Sequence, residues 1–433
     1  MSKVKIMRAR DNKKGTLVPR LRFPEFQNAE KWKWNKLKEV CEINPSSEAL
    51  PQTFIYIDLE SVNSGKLLSK KTMLLEDAPS RAQRLVKNGD ILFQMVRPYQ
   101  KNNLYCNFND TRNYVASTGY AILRASENSK FLYQAVHCDD FVDRVISKCT
   151  GSNYPAINSS HLSELVISTP ILQEQQRIAD CLSSLDERIA AETSKLDRLK
   201  DHKKGLLKQL FPAEGETLPQ LRFPEFRDAG EWVQAPLGEL LLSQPDYGLN
   251  APAVPYTSSL PTYIRITDIS EEGQFIAEKK VSVDVVAVPE NCLHPGDIVL
   301  ARTGASVGKA YKYNENDGIL VFAGFLIRVK PNWEKINSNF LFNFLFTKRY
   351  WDWVVLTSPR SGQPGINSSE YATLPVPTPP SDGDMQCEQQ RIADCLSSLD
   401  ELIAAQTQKI NLLKDHKKGL MQQLFPCIDE VQA

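Results

Sequence analysis

Residues 177–187 read RIADCLSSLDE, and residues 391–401 read RIADCLSSLDE again. The likeness extends beyond this core: of the 39 positions in 174–212, 31 are identical in 388–426. Apolar residues in the first copy fall at Ile178, Leu182, Leu185, Ile189, Leu196, Leu199, Leu206 and Leu210. With Glu192 and Lys203 they step alternately by four and three, which is the heptad seam of a coiled coil. The second copy repeats the seam through Ile392, Leu396, Leu399, Ile403, Gln406, Ile410, Leu413, Lys417, Leu420 and Leu424. Pro170 and Pro212 bracket one helix, and Pro379 and Pro426 the other. Gly205 and Gly419 predict a kink or an early end in the last turns.

Charge sets the direction of pairing. Residues 174–192 carry five acidic and two basic side chains, and 193–208 carry two acidic and six basic. The second copy runs four acidic to one basic, then one acidic to four basic. Parallel packing would set acid against acid; antiparallel packing sets each acidic half against a basic half and opposes the helix dipoles. Two antiparallel helices of about 38 residues predict a rod of roughly 57 Å.

The helix is not all that recurs. PRLRFPEFQNAEKW (19–32) returns as PQLRFPEFRDAGEW (219–232), NGDILF (88–93) as PGDIVL (295–300), and YPAINSS (154–160) as QPGINSS (363–369). NSKFLYQAVHCDDF (128–141) returns as NSNFLFNFLFTKRY (337–350), a polar cap followed by an aromatic helix. The glycine before each apolar, β-branched run predicts a turn feeding a strand. The expected architecture is therefore α+β: two similar mixed α/β domains joined by two long antiparallel helices that form a coiled coil, with a pseudo-two-fold internal repeat. The expected boundaries are a basic tail at 1–16, a first domain at 17–170 and its helix at 171–212. A second domain follows at 213–382, then its helix at 383–426 and a tail at 427–433.

Composition bounds the chemistry. The chain has 433 residues, 42% hydrophobic and 24% charged, with Lys plus Arg and Asp plus Glu balanced at 52 each. These are globular proportions, and neutrality predicts that any nucleic-acid binding is helped by partners. The start, MSKVKIMRARDNKKG, is basic but lacks the apolar core of a signal peptide. Nine cysteines without a CxxC and five unclustered histidines argue for a reduced compartment and against a metal centre.

In order and duplication these motifs resemble the specificity subunits of type I restriction–modification systems: PRLRFPEF…W, a variable domain closing on INSS, then EQQRIADCLSSLDERIAAETSKLDRLKDHKKGLLKQLFP. The resemblance runs from residue 17 to 426. It implies two target-recognition domains, each reading one half of a bipartite site in double-stranded DNA. The helices would act as spacer and as dock for two methyltransferase subunits, which restriction subunits join. It implies adenine-N6 methylation with S-adenosylmethionine, and ATP and Mg2+, all held by partner subunits and none by this chain. It also implies a cytoplasmic setting in a bacterial or archaeal cell, with no membrane partner. The outward residues Asp180, Ser183, Ser184, Asp201, His202 and Lys204 recur as Asp394, Ser397, Ser398, Asp415, His416 and Lys418, as two docks for one kind of partner require.

Base-reading residues have no motif, so candidates come from side-chain chemistry. After the first NGD strand stand Arg97, Tyr99, Lys101, Asn102 and Asn103; after the second, Arg302, Thr303, Ser306, Lys309 and Lys312. The loops before INSS add Ser152, Asn153 and Tyr154, then Arg360, Ser361 and Gln363. Arginine suits guanine, asparagine and glutamine suit adenine, and lysine suits phosphate. GASVGK (304–309) falls one residue short of a P-loop and lacks its Ser or Thr, so it is not read as an ATP site. The aromatic run Phe340–Trp353 has helical spacing and is read as core. Asn44-Pro45 is followed by Ser46-Ser47, not by the Pro-aromatic ending of an amino-methyltransferase motif. No catalytic residues are assigned. Two other readings stay open: a fused relative with its own methyltransfer or cleavage activity, and a coiled-coil scaffold that binds only protein.

Overall fold

The computed structural model describes residues 18–46, 49–380 and 385–426. The tails expected at 1–16 and 427–433 lie outside the described residues. The chain divides into two compact units, one of residues up to Thr193 with those from Gln408 onward, the other Ser194–Thr407. Each unit therefore owns one globular domain, the near half of one long helix and the far half of the other.

In the first unit a four-stranded sheet runs in the order Cys41–Ile43, Tyr120–Ala125, Ile91–Gln94, Leu104–Tyr105. In the second unit the same order recurs as Asp246–Tyr247, Leu326–Val329, Ile298–Ala301, Ala310–Lys312. The central strands are the NGD and PGD runs. Gly89 and Gly296 turn into them with φ of 89° and 93°, a conformation that glycine adopts without a Cβ penalty. Each unit adds a second four-stranded sheet that includes one parallel pair. Here the two copies part. In the first, Ala82–Val86 flanks Tyr114–Ser117; in the second, Val281–Val283 lies between Ala253–Pro255 and Thr262–Ile264.

The repeated polar residues are helix caps. Asn128 and Asn337 accept backbone N–H groups at the starts of Ser129–Ala135 and Ser338–Phe344. Asn158 and Asn367, the asparagines of INSS, do the same for Ser159–Glu164 and Ser368–Ala372. A side-chain oxygen at that position satisfies a donor the helix cannot. Phe340, Phe344 and Tyr350 are fully buried, so the aromatic run is core.

The long helices span Leu172–Leu210 and Met385–Leu424 without a break. This corrects the expected early end: both helices continue through Gly205 and Gly419. A Cβ at either glycine would meet nothing within 4 Å. Gly205→Ala and Gly419→Ala should each stabilise the chain by about 0.5–1 kcal/mol, by removing backbone freedom from the unfolded state. Thermal unfolding of the single and double variants reads the gain directly.

Within each unit the helix halves run antiparallel. In the first, Lys417 reaches both carboxylate oxygens of Asp186 at 2.6 and 2.7 Å, and Lys409 reaches Glu192 at 2.5 Å. In the second, Lys203 holds Asp400 at 2.6 and 2.7 Å while Leu207 and Leu210 share a core with Leu396 and Ile392. Each ion pair joins an acidic half to a basic half. The seam does more than pair helices. Ile178 and Leu182, like Ile392 and Leu396, sink into the domain cores, whereas Leu185, Ile189, Leu196, Leu199, Ile403 and Leu413 are half-buried. Leu399 and Ile410 are buried as well.

What fastens each domain to its helices is the RFPEF motif. Arg22 donates from Nε and Nη2 to the two oxygens of Glu174 at 2.8 and 2.6 Å, and Arg222 does the same to Glu388 at 2.8 and 2.8 Å. Both pairs are buried. Outside them, Arg177 lies over Phe23 and pairs with Glu25, and Arg391 repeats this on Phe223 and Glu225. The far helix end joins through one backbone bond, Leu21 N to Gln423 O in one unit and Leu221 N to Gln209 O in the other. An aromatic trio closes each junction: Trp32, Phe131 and Phe425, with centroids 5.5–6.0 Å apart, and Trp232, Phe340 and Phe211, 5.0–6.3 Å apart.

Candidate nucleic-acid interface

The chain leaving each central strand turns at once into the polar loop that carries most of the candidate residues. In the first domain Ile91–Gln94 is buried along its whole length, and the next residues must turn. Val96 bridges Ala156, and Arg97 N donates to Pro155 O at 2.7 Å. Arg97 itself is left-handed, with φ of 53°. A non-glycine residue there costs about 1–2 kcal/mol. The second domain has Gly304 at the matching place, with φ of 71° and its N–H on Pro364 O at 2.9 Å. The Arg97 guanidinium lies 4.2 Å from the centroid of Tyr154, and its buried Nε has no partner. Tyr154 is 65% exposed, and Ser152, Asn153 and Tyr99 are exposed beside it. Arg97 and Tyr154 stand at a cleft of about 1110 Å³ lined also by Asp58, Glu60, Arg81 and Gln100.

The rest of the first loop is occupied with holding itself. Lys101, also left-handed, donates to Asp139 at 2.5 Å and to His137 O at 3.0 Å. Asn102 accepts from Ser64 N, and its own N–H goes to Gln94 Oε1. Asn103, expected at the surface, is buried: its Oδ1 accepts from Gln94 N at 2.8 Å and its Nδ2 meets His137 Nε2 at 3.3 Å. Burial pushes the His137 imidazole down to about 4, and the carbonyl of Tyr133 opposes that shift. The neutral ring is thus a structural part, donating from Nδ1 to Tyr133 O at 2.6 Å.

In the second domain Arg302 follows the buried strand Ile298–Ala301 and lies 4.7 Å from the ring of Tyr247. Its Nε too is buried without a partner. Tyr247 is held from behind, its hydroxyl accepting from Ser368 N at 3.0 Å in the second INSS turn. Thr303, Ser306 and Lys312 are half-buried, and desolvation lowers the Lys312 ammonium below its ordinary range. Lys309 pairs with Glu271 at 2.6 Å, and Arg360 is bidentate to Glu370. Ser361 and Gln363 are exposed, with Gln363 folded over Gly304. GASVGK ends in the strand Ala310–Lys312, not in a helix, and Gly308 is packed against Val354.

Of the candidates, Lys101, Lys309 and Arg360 are paired with carboxylates and Asn102 and Asn103 are tied into the loop, while Arg97, Tyr99, Ser152, Asn153, Tyr154, Arg302, Ser361 and Gln363 have no carboxylate pair among the described residues, nor do the half-buried Thr303, Ser306 and Lys312. Sequence reasoning missed Tyr247, which carries no local signal, and the cleft residues Arg81 and Gln100. Among the described residues no group of three or more His, Cys, Asp or Glu is placed for a metal ion, and no helix is long and apolar enough to cross a membrane.

Known proteins sharpen this picture. A family model described as "Type I restriction modification DNA specificity domain" matches residues 29–201 and 252–415. The HindI specificity subunit of Haemophilus influenzae is 27% identical over 166 residues, 36% of this chain and 36% of that protein. The EcoDI specificity subunit of Escherichia coli is 23% identical over 58% of this chain and 59% of its own length. The chain thus spans only part of these two relatives. The putative MjaX specificity subunit of Methanocaldococcus jannaschii matches at 22% over 92% of this chain and 93% of its own. Among solved structures, the type I restriction–modification S subunit from M. genitalium aligns with a TM-score of 0.58 at 16% identity, over 95% of this chain and 99% of that one. A chain from work on assembly and conformational transition of the type I R-M system aligns at 0.52 and 24%, over 91% and 97%. The structural likenesses speak for the fold. The two matched segments, well over half the residues and one in each half of the repeat, make this chain a member of the type I restriction–modification DNA specificity family, a specificity subunit.

Proposed function

We propose that each domain reads one half of a bipartite, asymmetric DNA site, and that the helices set the gap and dock methyltransferase subunits for adenine-N6 methylation and restriction. One observation carries this reading. The main parts that hold a domain to its helices recur in both copies, the bidentate Arg22–Glu174 and Arg222–Glu388 pairs above all, while the chain beyond the central strand differs in sequence and turn. A common mount with unlike faces is what two readers of unlike sequences require. The exposed outer residues Asp180, Ser184, Asp201, His202 and Lys204, equally exposed as Asp394, Ser398, Asp415, His416 and Lys418, give two equal docks. S-adenosylmethionine, ATP and Mg2+ belong to the partner subunits in this reading.

The test is a map of modified adenines in host DNA by single-molecule sequencing. The expected result is one split, non-palindromic motif methylated once per strand; a continuous palindrome rules the reading out. Exchanging residues 31–170 for the corresponding domain of another family member should change one half of the motif and leave the other. A change in both halves contradicts independent readers. Purified alone, the chain should transfer no methyl group from S-adenosylmethionine to DNA.

A further inference from the structure

We propose that Arg97 and Arg302 are the guanine readers of the two half-sites, one in each domain. The inference rests on the reading of each domain as a half-site reader and names the contact that does the reading. Among the described residues, most other half-buried and buried arginines have carboxylates: Arg22, Arg124, Arg144, Arg222, Arg265 and Arg328 each pair with Asp or Glu, whereas Arg84 has a buried Nε without an acceptor and Arg349 reaches the carbonyls of Pro212 and Ala213. Among the described residues, only Arg97 and Arg302 combine an aromatic floor with a buried Nε that has no acceptor. Stacking on a tyrosine uses the face of the guanidinium and leaves its edge of N–H donors for a ligand, engaged in Arg302 only by a long bond from Nη1 to Gly324 O at 3.5 Å. It also fixes the plane of the group.

A fixed plane suits a partner with two acceptors side by side, either a base edge or a pair of phosphate oxygens. Guanine offers two acceptors side by side, O6 and N7, and a coplanar guanidinium edge meets both. The surroundings of Arg97 point the same way. Asp58 and Glu60 line the same cleft, where they would repel a phosphate but can accept from the N4 amine of the cytosine paired with guanine. Arg97 is further committed by its backbone, because the loop holds it in a left-handed turn through Pro155 O. The Arg302 floor is braced in its turn by the Ser368 bond to Tyr247.

The experiment uses the full chain with its methyltransferase subunits and maps methylated sites for wild type, Arg97→Lys and Arg302→Lys. The wild-type motif should hold a G·C pair in each half. Arg97→Lys should relax preference at one such pair by about ten- to hundredfold, with the other half unchanged, and Arg302→Lys should do the converse. In the wild-type complex, 7-deazaguanine at either position, which lacks N7, should weaken binding by roughly tenfold. This measurement does not depend on a variant folding. A half-site without G·C, a split motif unchanged in the variants, a uniform loss across all sites with a shallower salt dependence, or indifference to 7-deazaguanine each overturns the inference while half-site reading stands. A motif that is not split removes the half-site reading itself, and this inference with it.

Discussion

Glu174→Ala should lower the unfolding free energy of the first unit by about 3–5 kcal/mol, the largest effect expected of any single substitution outside the apolar core. The carboxylate is 1% exposed and the Arg22 guanidinium 6%, so removing one charge strands the other where water cannot reach it. A second buried donor is stranded with it, because Trp32 Nε1 also bonds Glu174 at 3.2 Å. Among the described residues, Arg22 then keeps only the carbonyls of Ala29 and Glu30. Glu388→Ala should cost less by about 1 kcal/mol, since Trp232 Nε1 has no bond to lose. Arg22→Met with Glu174→Leu should recover much of the loss, as apolar replacements of whole buried pairs do. The control is Arg177→Ala, whose partner Glu25 is half exposed and whose loss should stay within about 1 kcal/mol. Hydrogen exchange resolved by unit is the right measurement, because a chain with two compact units does not unfold in one step. A Glu174→Ala cost no larger than that of Arg177→Ala refutes the clasp.

That clasp was hidden in plain sight. Arg22 and Glu174 are 152 residues apart, and no period or propensity reports a pairing at that range. What the repeat did offer was recurrence: Arg22 and Glu174 both return, as Arg222 and Glu388, across domains that otherwise diverge. Local features were more legible, because they are settled within a few residues. The NGD and PGD turns, the caps at Asn128 and Asn337 and the direction of helix pairing all follow from short-range sterics, orphan N–H groups and charge, whereas the caps at Asn158 and Asn367 emerge only in the structure. The early end expected at Gly205 and Gly419 failed because a glycine only weakens a helix, by about 1 kcal/mol, and packing of the neighbouring Leu207, Leu210 and Leu424 outweighs that.

The site was legible by residue type and illegible by environment. Arg97 and Lys101 stand four residues apart in one polar loop, yet one stacks on Tyr154 with a free edge and the other is tied to Asp139 and His137 O. Lys309 and Arg360 divide from Arg302 in the same way, through Glu271 and Glu370. The acidic partner decides, and it comes from another part of the chain. A list of basic loop residues therefore overstates the number left without an acidic partner.

Acid should loosen the first unit well before its carboxylates titrate, through His137. The ring is held near 4 against an ordinary 6.5, chiefly by burial, with Lys417 and Lys101 adding to the shift and Asp186 opposing it. Between those values the unfolded chain binds a proton that the folded one refuses, so unfolding becomes easier as pH falls. The contribution is complete above about pH 6.5, is lost through the window down to about 4, and amounts to roughly 3 kcal/mol. Glu164, held down to about 2 by its hydrogen bonds to Lys36 and Lys38, is exposed and loses its smaller contribution only below its ordinary 4.5. The second unit has Phe346 where the first has His137, as the offset of the aromatic helices shows, and should lack the step. The internal repeat thus names its own control. His137→Phe should flatten the stability profile between pH 6.5 and 4, at a pH-independent cost of about 1–2 kcal/mol because Asn103 Nδ2 loses its acceptor. Hydrogen exchange of the strand Ile91–Gln94 across that range reads the slope. If the slope survives in His137→Phe, the half-buried imidazole is not its source. If it disappears, the ring that braces Asn103 beneath the candidate reading loop also sets the acid limit of that loop.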